Sequence, residues 1–283
     1  MFDEDQTEHD AGSKRAELER KSTEELFAAT LEGDYDDDAA WDAVTVLRLR
    51  GTGDVFEVAK RYCESENAKA RARGLSVLAQ LGEGMPEVDR PFMPDSVSIA
   101  IGHLRDYDQE TVRCAAWALS HLGTQEAVEA LLALRNHPDH EVRHAIACCI
   151  EVRQHPKGAG VLLALMEDEN EVVRDWATFA IGSDEVEQDG VWRLADSAEI
   201  RTALHRRLED EYEDARREAI WGLARRKDTI GLKLLLNHLE SEDPWQGDED
   251  TAQELLGLER GCRVENLREG LRDLLTKISH GKE

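Results

Sequence analysis

The chain has 283 residues, and its 35 lysines and arginines against 61 aspartates and glutamates give a formal charge of −26. A field of that sign repels phosphates, so the clustered basic surfaces used for nucleic-acid binding are excluded. No apolar run approaches the length that spans a membrane, and the opening MFDEDQTEHD is acidic where a secretory signal needs positive charge and then an apolar stretch, so a cytoplasmic protein is expected. Five cysteines (Cys63, Cys114, Cys148, Cys149, Cys262) lie inside apolar helical patterns without metal-ligand or redox spacing, and read as small buried hydrophobes in a reducing compartment.

Taken in order, residues 1–13 read as a disordered acidic tail with almost nothing apolar to bury. The remainder, 14–283, is expected to be one helical domain. Its first helix runs from about Ser13 to Leu31; in its second half Ser22 is an N-cap with Glu25 three residues on, and Leu26, Phe27 and Leu31 form an apolar stripe. A helix from Asp38 to Arg50 completes the first pair. Further pairs are predicted at 54–66 with 67–82, 95–106 with 108–123, 124–136 with 139–153, 157–167 with 170–182, 197–209 with 212–226, and 229–240 with 249–260. The last segment, VENLREGLRDLLTKISHGKE, predicts a capping helix over about 263–280, with Leu267, Leu271, Leu274, Leu275 and Ile278 on one face and charges around the other. Helices should thus occupy well over half the chain, with no sheet.

These pairs are copies of one unit. An Arg preceded by Val or Ala recurs at Arg71, Arg113, Arg143, Arg174 and Arg216, in steps of 42, 30, 31 and 42 residues. Such a period marks a solenoid of stacked helical hairpins. The two long steps hold extra segments, Glu83 to Pro94, read as a proline-rich loop, and Ser183 to Asp196, read as a short turn folding back through Val191, Trp192 and Leu194. An Arg at the same place in every unit is what stacking requires: its stem packs between neighbouring second helices, and its guanidinium bonds a carboxylate or a helix-end carbonyl.

The stretches DHEVRHAIACCI, ENEVVRDWATFAIG and YEDARREAIWGLARRKD resemble the short HEAT-like repeats of bacterial proteins, the type first named for phycobilisome lyases, over roughly Ala39 to Glu240. The resemblance implies an all-α fold, a right-handed α-α superhelix (HEAT/armadillo-like solenoid) of about seven helical hairpins. It implies little about activity, since one repeat scaffold hosts many functions. Deoxyhypusine hydroxylases are similar HEAT-like proteins that hold two irons through His-Glu pairs in their second helices. The equivalent places here are Cys114-Ala115, His144-Ala145, Asp175-Trp176 and Arg217-Glu218, so those ligands are absent.

In solenoids of this kind the second helices line the concave side. At 100° per residue, positions one, four, five and eight after each anchor Arg face the groove, and the residue before it and those three, six and seven after it face the core. The groove positions carry few charges and include the aromatic residues Trp117, Phe179 and Trp221 as candidate anchors, with His121, His144 and Asp175 as polar selectors. The competing reading makes these aromatics fillers between tightly wound units.

His140-Glu141-Val142-Arg143-His144 matches the H-E-x-x-H zinc-protease pattern, but the match falls on the repeat anchor and no third ligand follows downstream. No glycine-rich phosphate loop, serine elbow or cysteine–histidine dyad is present. The expectation is therefore a non-enzymatic scaffold, without cofactor or metal, holding a protein or peptide, basic partners among them, in its groove. Two alternatives stay open: an acidic inhibitor or immunity-type protein that neutralises a basic enzyme, and a lyase-like small-molecule binder.

Overall fold

The computed structural model describes residues 15–33, 37–82, 90–183, 185–187, 190–192, 196–241 and 244–280. The acidic tail, residues 83–89 of the first extra segment and residues 184, 188–189 and 193–195 of the second, with Leu194 among them, lie outside the described residues. The chain forms two compact units, Met1–Glu151 and Val152–Glu283.

The first unit contains α1 (Thr23–Ala29), α2 (Asp38–Arg50), α3 (Gly53–Cys63), α4 (Ala68–Ala79), α5 (Met93–His103), α6 (Gln109–Leu122), α7 (Gln125–Ala133) and α8 (His140–Cys148), with the short α9 (Ile150–Gln154) beginning at its end. Each even-numbered helix packs antiparallel on the odd one before it, and α2, α4, α6 and α8 pack in succession on one another, as α1 does on α3 and α5 on α7. The second unit repeats the scheme with α10 (Gly158–Leu165), α11 (Glu171–Gly182), α12 (Ala198–Arg207), α13 (Glu213–Arg225), α14 (Thr229–Leu239) and α15 (Gln246–Leu256), closed by α16 (Val264–Ser279).

Local chemistry sets these boundaries. Asn67, Asp108, Thr124, Asp139, Asn170, Ser197 and Asp228 are N-caps whose side chains accept from backbone N–H groups that a helix start leaves orphaned. The face containing the residue before each anchor Arg is buried as expected: Val112, Val142, Val173 and Ala215 are core, as are Leu119, Ile146, Ala177 and Leu223. Leu267 and Leu271 of α16 are fully buried against α14 and α15, while Glu265, Glu269 and Asp273 stay exposed, which gives the stack its polar end.

Four expectations are corrected. The helix predicted from Ser13 to Leu31 is broken, because Ser22 takes an extended conformation and forms a capping box with Glu25, starting α1 afresh. The helix predicted over 139–153 breaks at Cys149 (φ −72°, ψ 113°). That break re-phases the chain, so Val152 is fully buried while Ile150, which an unbroken helix would bury, is 44% exposed. The first extra segment ends earlier than predicted: Pro94 lies in the first turn of α5, where its missing N–H costs nothing, and Phe92 stacks on Phe56 at 4.6 Å. The second is no simple turn but contains β1 (Glu185–Glu187) paired antiparallel with β2 (Gly190–Trp192), Val186 opposite Val191, the one exception to an otherwise helical fold among the described residues.

Glycine permits a close helix approach in the second unit. A Cβ on Gly222 would lie 2.8 Å from the Cα of Gly182, and a Cβ on Gly182 would lie 3.1 Å from the Cα of Gly222. Alanine is intrinsically better in a helix by roughly 1 kcal/mol, but here it would force α11 and α13 apart. Gly222→Ala is therefore expected to destabilise by about 1–3 kcal/mol net, read as an earlier urea midpoint at unchanged slope.

Candidate functional site

The repeated arginines come first, because they fix where the second helices start. Arg71, Arg143, Arg174 and Arg216 each stand fourth in their helix, and each donates through Nη1 to the two carbonyls six and five residues back: Ser65 and Glu66, His137 and Pro138, Asp168 and Glu169, Asp210 and Glu211. The residue six before the Arg tightens the same turn by accepting a backbone N–H two residues on: Ser65 from Asn67, His137 from Asp139, Asp168 from Asn170 and Asp210 from Tyr212. In α6 the N-cap sits one residue further from Arg113, so the side chain is rotated by about 100° and bonds Asp139 instead.

Between repeats the guanidiniums of Arg71, Arg113 and Arg174 meet carboxylates. Arg71 is bidentate on Asp106 (2.9 and 2.8 Å), Arg174 on Asp210 (2.8 and 2.9 Å), and Arg113 Nε donates to Asp139 at 2.6 Å. The structural reading of the repeated Arg is thus what the geometry shows. Burial alone would raise each of these aspartate carboxyls, but the guanidinium and backbone N–H donors together hold Asp106, Asp139 and Asp210 below the usual carboxylate range.

In the first unit, the groove positions of α4 and α6 line a slot of about 580 Å³, with Trp41 and Arg48 from α2, Ser76, Ala79 and Gln80, then Glu110, Arg113, Cys114, Trp117, Ala118 and His121 of α6, and Glu141 of α8. Trp117 is half-buried, meets His144 edge-on at 5.0 Å and lies 6.3 Å from His121. His121 is exposed and hydrogen-bonded to Gln80 at 3.0 Å. Burial lowers the His144 imidazole from its ordinary value, against the opposing pull of Glu141. In the H-E-x-x-H stretch the imidazoles of His140 and His144 lie 3.3 and 3.8 Å from Glu141, between them in sequence, and among the described residues no three His, Cys, Asp or Glu side chains gather as a metal site.

In the second unit, Asp175 and Phe179 share one face of α11. Phe179 is covered by the Arg153 guanidinium at 5.2 Å and meets Trp176 edge-on at 5.7 Å. Burial pushes the Asp175 carboxyl up to about 6, with Asp214 and Asp210 adding to it. Facing it electrostatically from α13 is Glu218, a residue the sequence reading did not single out; burial pushes its carboxyl up to about 8, Asp175 and Asp214 reinforce the shift, and Arg225 and Arg153 oppose it. One oxygen of each carboxyl, Asp175 Oδ1 and Glu218 Oε2, is buried without a hydrogen-bond partner. Trp221 sits elsewhere: its Nε1 donates to the buried Asp248 at 2.8 Å and its ring packs on Gly247, where a Cβ would come within 2.4 Å. The structure thus groups Trp117, His121 and His144 in one place and Asp175 and Phe179 in another, with Trp221 wedged against α15. Glu110, Glu141, Trp41 and Glu218 are the nearby functional candidates that repeat arithmetic alone passed over.

Residues 87–151 and 159–256 match the family described as HEAT repeats. The chain belongs to the HEAT-repeat family. It is 27% identical to Protein YibA of Escherichia coli (strain K12) over 215 residues, 74% of this chain and 72% of YibA. The X-ray structure of E. coli YibA superposes with a TM-score of 0.67 at 22% identity, covering 94% of this chain and 95% of that one. Kap95p, solved with RanGDP, superposes at 0.55 and 13% identity, with 94% of this chain covering 38% of Kap95p. Both structures share the fold of stacked helical hairpins. No helix among the described residues is long and apolar enough to cross a membrane.

The HEAT ladder and the buried carboxyls respond to pH with opposite signs. The ladder aspartates have lowered folded values, so the stability they contribute is present above the ordinary carboxylate value of about 3.9 and is lost as pH falls through and below it. Glu218 has a raised folded value, so stability falls as pH rises from about 4.3, where the unfolded chain releases this proton, towards about 8, where the folded chain does. Glu218→Gln should therefore flatten the decline between those limits while leaving acid unfolding unchanged, as chemical denaturation at a series of pH values would show. Asp210→Ala leaves Arg174 without its carboxylate and Arg207 with Glu167 alone, both side chains about 15% exposed or less, and should cost about 3 kcal/mol. Combining it with Arg174→Met should cost less than the two single changes summed, the coupling being read from the double-mutant cycle.

Proposed function

We propose that this HEAT-repeat chain is a non-enzymatic scaffold that holds a protein or peptide segment against the groove faces of its second helices. The observation that carries the reading is the slot around Trp117: stacking the hairpins leaves a half-buried indole in an open depression of about 580 Å³, and an aromatic anchor in a pocket is how interfaces concentrate affinity. The fold suits the role, since Kap95p, built the same way, binds RanGDP. Trp117, His121 and His144 form one proposed contact area and Asp175 with Phe179 another, while Trp221, packed on Gly247 and bonded to Asp248, serves the stack instead.

A second reading, an acidic inhibitor or immunity-type protein that neutralises a basic enzyme, is favoured by the charge of −26, which would accelerate and orient association with a cationic partner. Salt separates the two: steep loss of the complex with ionic strength supports the inhibitor, and a salt-tolerant complex supports the groove scaffold.

The test is to capture the partner from host extract, identify it by mass spectrometry, and measure affinity and melting on the same variants. Trp117→Ala and Phe179→Ala should each cost about 2 kcal/mol or more of partner affinity. Trp221→Ala, which removes a ring packed on α15 and leaves Asp248 short of a donor, should instead lower stability by about 3 kcal/mol. If folded Trp117→Ala and Phe179→Ala proteins bind the partner as the parent does, the groove reading fails.

A further inference from the structure

We propose that the slot of the first unit recognises a cationic side chain, an arginine or lysine of a protein partner, seated on Trp117 between Glu110 and Glu141. The inference deepens the groove-scaffold reading and rests on it.

The slot has two chemically different ends. The C-terminal ends of α2, α4 and α6 lie together at one of them, where the Gly82 N–H donates to the Arg48 carbonyl at 2.9 Å and Gln80 bonds His121 at 3.0 Å. The first turns of α6 and α8 meet at the other, where Gln109 donates to Asp139 at 2.7 Å. Glu110 and Glu141 project from those first turns, and both line the slot. The side chains that make this end charged are Glu110, Asp139 and Glu141 against Arg113, three carboxylates to one guanidinium. Arg113 is committed to the buried Asp139 at 2.6 Å and reaches Glu110 only at 3.3 Å. The Glu110 and Glu141 side chains remain 40% and 37% exposed, so both are open to a partner.

Aromatic rings elsewhere in the chain show what this environment suits. Trp41, Tyr107, Phe179 and Trp245 each lie under an arginine of the chain itself, Arg73, Arg71, Arg153 and Arg217, at 5.0, 4.6, 5.2 and 3.3 Å. Trp117 is met by the imidazoles of His144 and His121 instead and borders the open slot. A cation entering there gains the attraction of the ring's π face and two carboxylates at once. Arg48, the other cation of the lining, stands at the opposite end of the slot, in the last turn of α2.

The experiment titrates the full chain with two acetylated, amidated pentapeptides, Gly-Gly-Arg-Gly-Gly and Gly-Gly-Glu-Gly-Gly, and follows the Trp117 indole N–H by NMR, assigned through Trp117→Phe. The arginine peptide is expected to shift that signal with a Kd of about 1–10 mM, and the glutamate peptide to leave it unmoved. Glu110→Gln with Glu141→Gln should weaken the arginine peptide about tenfold at an unchanged melting temperature, with Glu141→Gln alone as the second variant should the pair impair folding. The proposal is overturned if the arginine peptide leaves Trp117 unmoved at ~50 mM, well above the expected Kd, if the glutamate peptide binds as well or better through the Arg48 end, or if the charge variants bind as the parent does. Should the peptides fail while Trp117→Ala still loses the captured partner, only the cation pocket falls. If the peptides bind as expected and Trp117→Ala keeps the partner, the scaffold reading falls and the pocket stands.

Discussion

Everything in this fold depends on how a helical hairpin is held at its turn and to the next hairpin. One guanidinium does both. Its Nη1 closes its own turn on two carbonyls of the connection between the helices, while Nε and Nη2 reach a carboxylate of the following repeat. Arg71 and Asp106 are both nearly buried, so the pair trades hydration for four directed bonds, and the geometry must be good for the exchange to succeed. The reward is registry: a hairpin displaced along its neighbour would leave both charges unpaired in a poorly hydrated place. Arg113 shows how little slack exists, since one extra helical residue ahead of it redirects the side chain from its own turn to Asp139.

The arginine half of this device is plain in the sequence and the aspartate half is not. Arg recurs at nearly constant spacing next to Val or Ala, whereas its partners lie 35, 26 and 36 residues further on, for Asp106, Asp139 and Asp210. In a chain with 61 acidic residues, nothing in one sequence marks those three. The apolar helical period gave the helices and the buried face of each second helix, because both follow from 3.6 residues per turn. Two features escaped because they depend on tertiary fit: the kink at Cys149 that exchanges Ile150 for Val152 in the core, and the Trp221–Asp248 bond, whose acceptor sits on a helix that starts at Gln246, three residues before its predicted start; the Ser22–Glu25 capping box was legible, but not that it would divide the helix. The β-hairpin left only a faint trace, the alternation Glu-Val-Glu and Gly-Val-Trp whose inner residues Glu187 and Gly190 pair; a strictly helical frame hid it.

The groove residues divide along the same line. Rotation about the helix axis put Trp117, His121, Asp175 and Phe179 on a face that stacking does not fully cover, but it treated every repeat as equivalent and assigned to the same face residues that are buried, Leu75, Ala118, Thr178 and Ala224 among them. The repeats differ through their neighbours: His144 braces Trp117, Arg153 covers Phe179, and Gly247 lets α15 close over Trp221. Asp175 and Glu218 are the clearest local conflict, two carboxyls with raised proton affinity on adjacent second helices, where a chain selected for stacking alone would place alanine or leucine.

The interior also explains where the charge of the chain is expressed. Among the described residues, Arg71, Arg73, Arg143 and Arg226 are buried, and so are Asp139, Asp210 and Asp248, four cations against three anions. The buried set is therefore close to neutral, and the excess of acidic residues in the whole sequence cannot be absorbed by it. Among the described residues, the acidic excess therefore stands mainly at turns and on the outward faces of helices. A surface so charged repels copies of itself and any phosphate-bearing partner, yet within a Debye length it draws cations towards whatever depression holds exposed carboxylates. The long-range field and the short-range chemistry of the Trp117 slot thus favour the same kind of visitor, the first by bringing it near and the second by giving its charge a ring and two carboxylates to rest against.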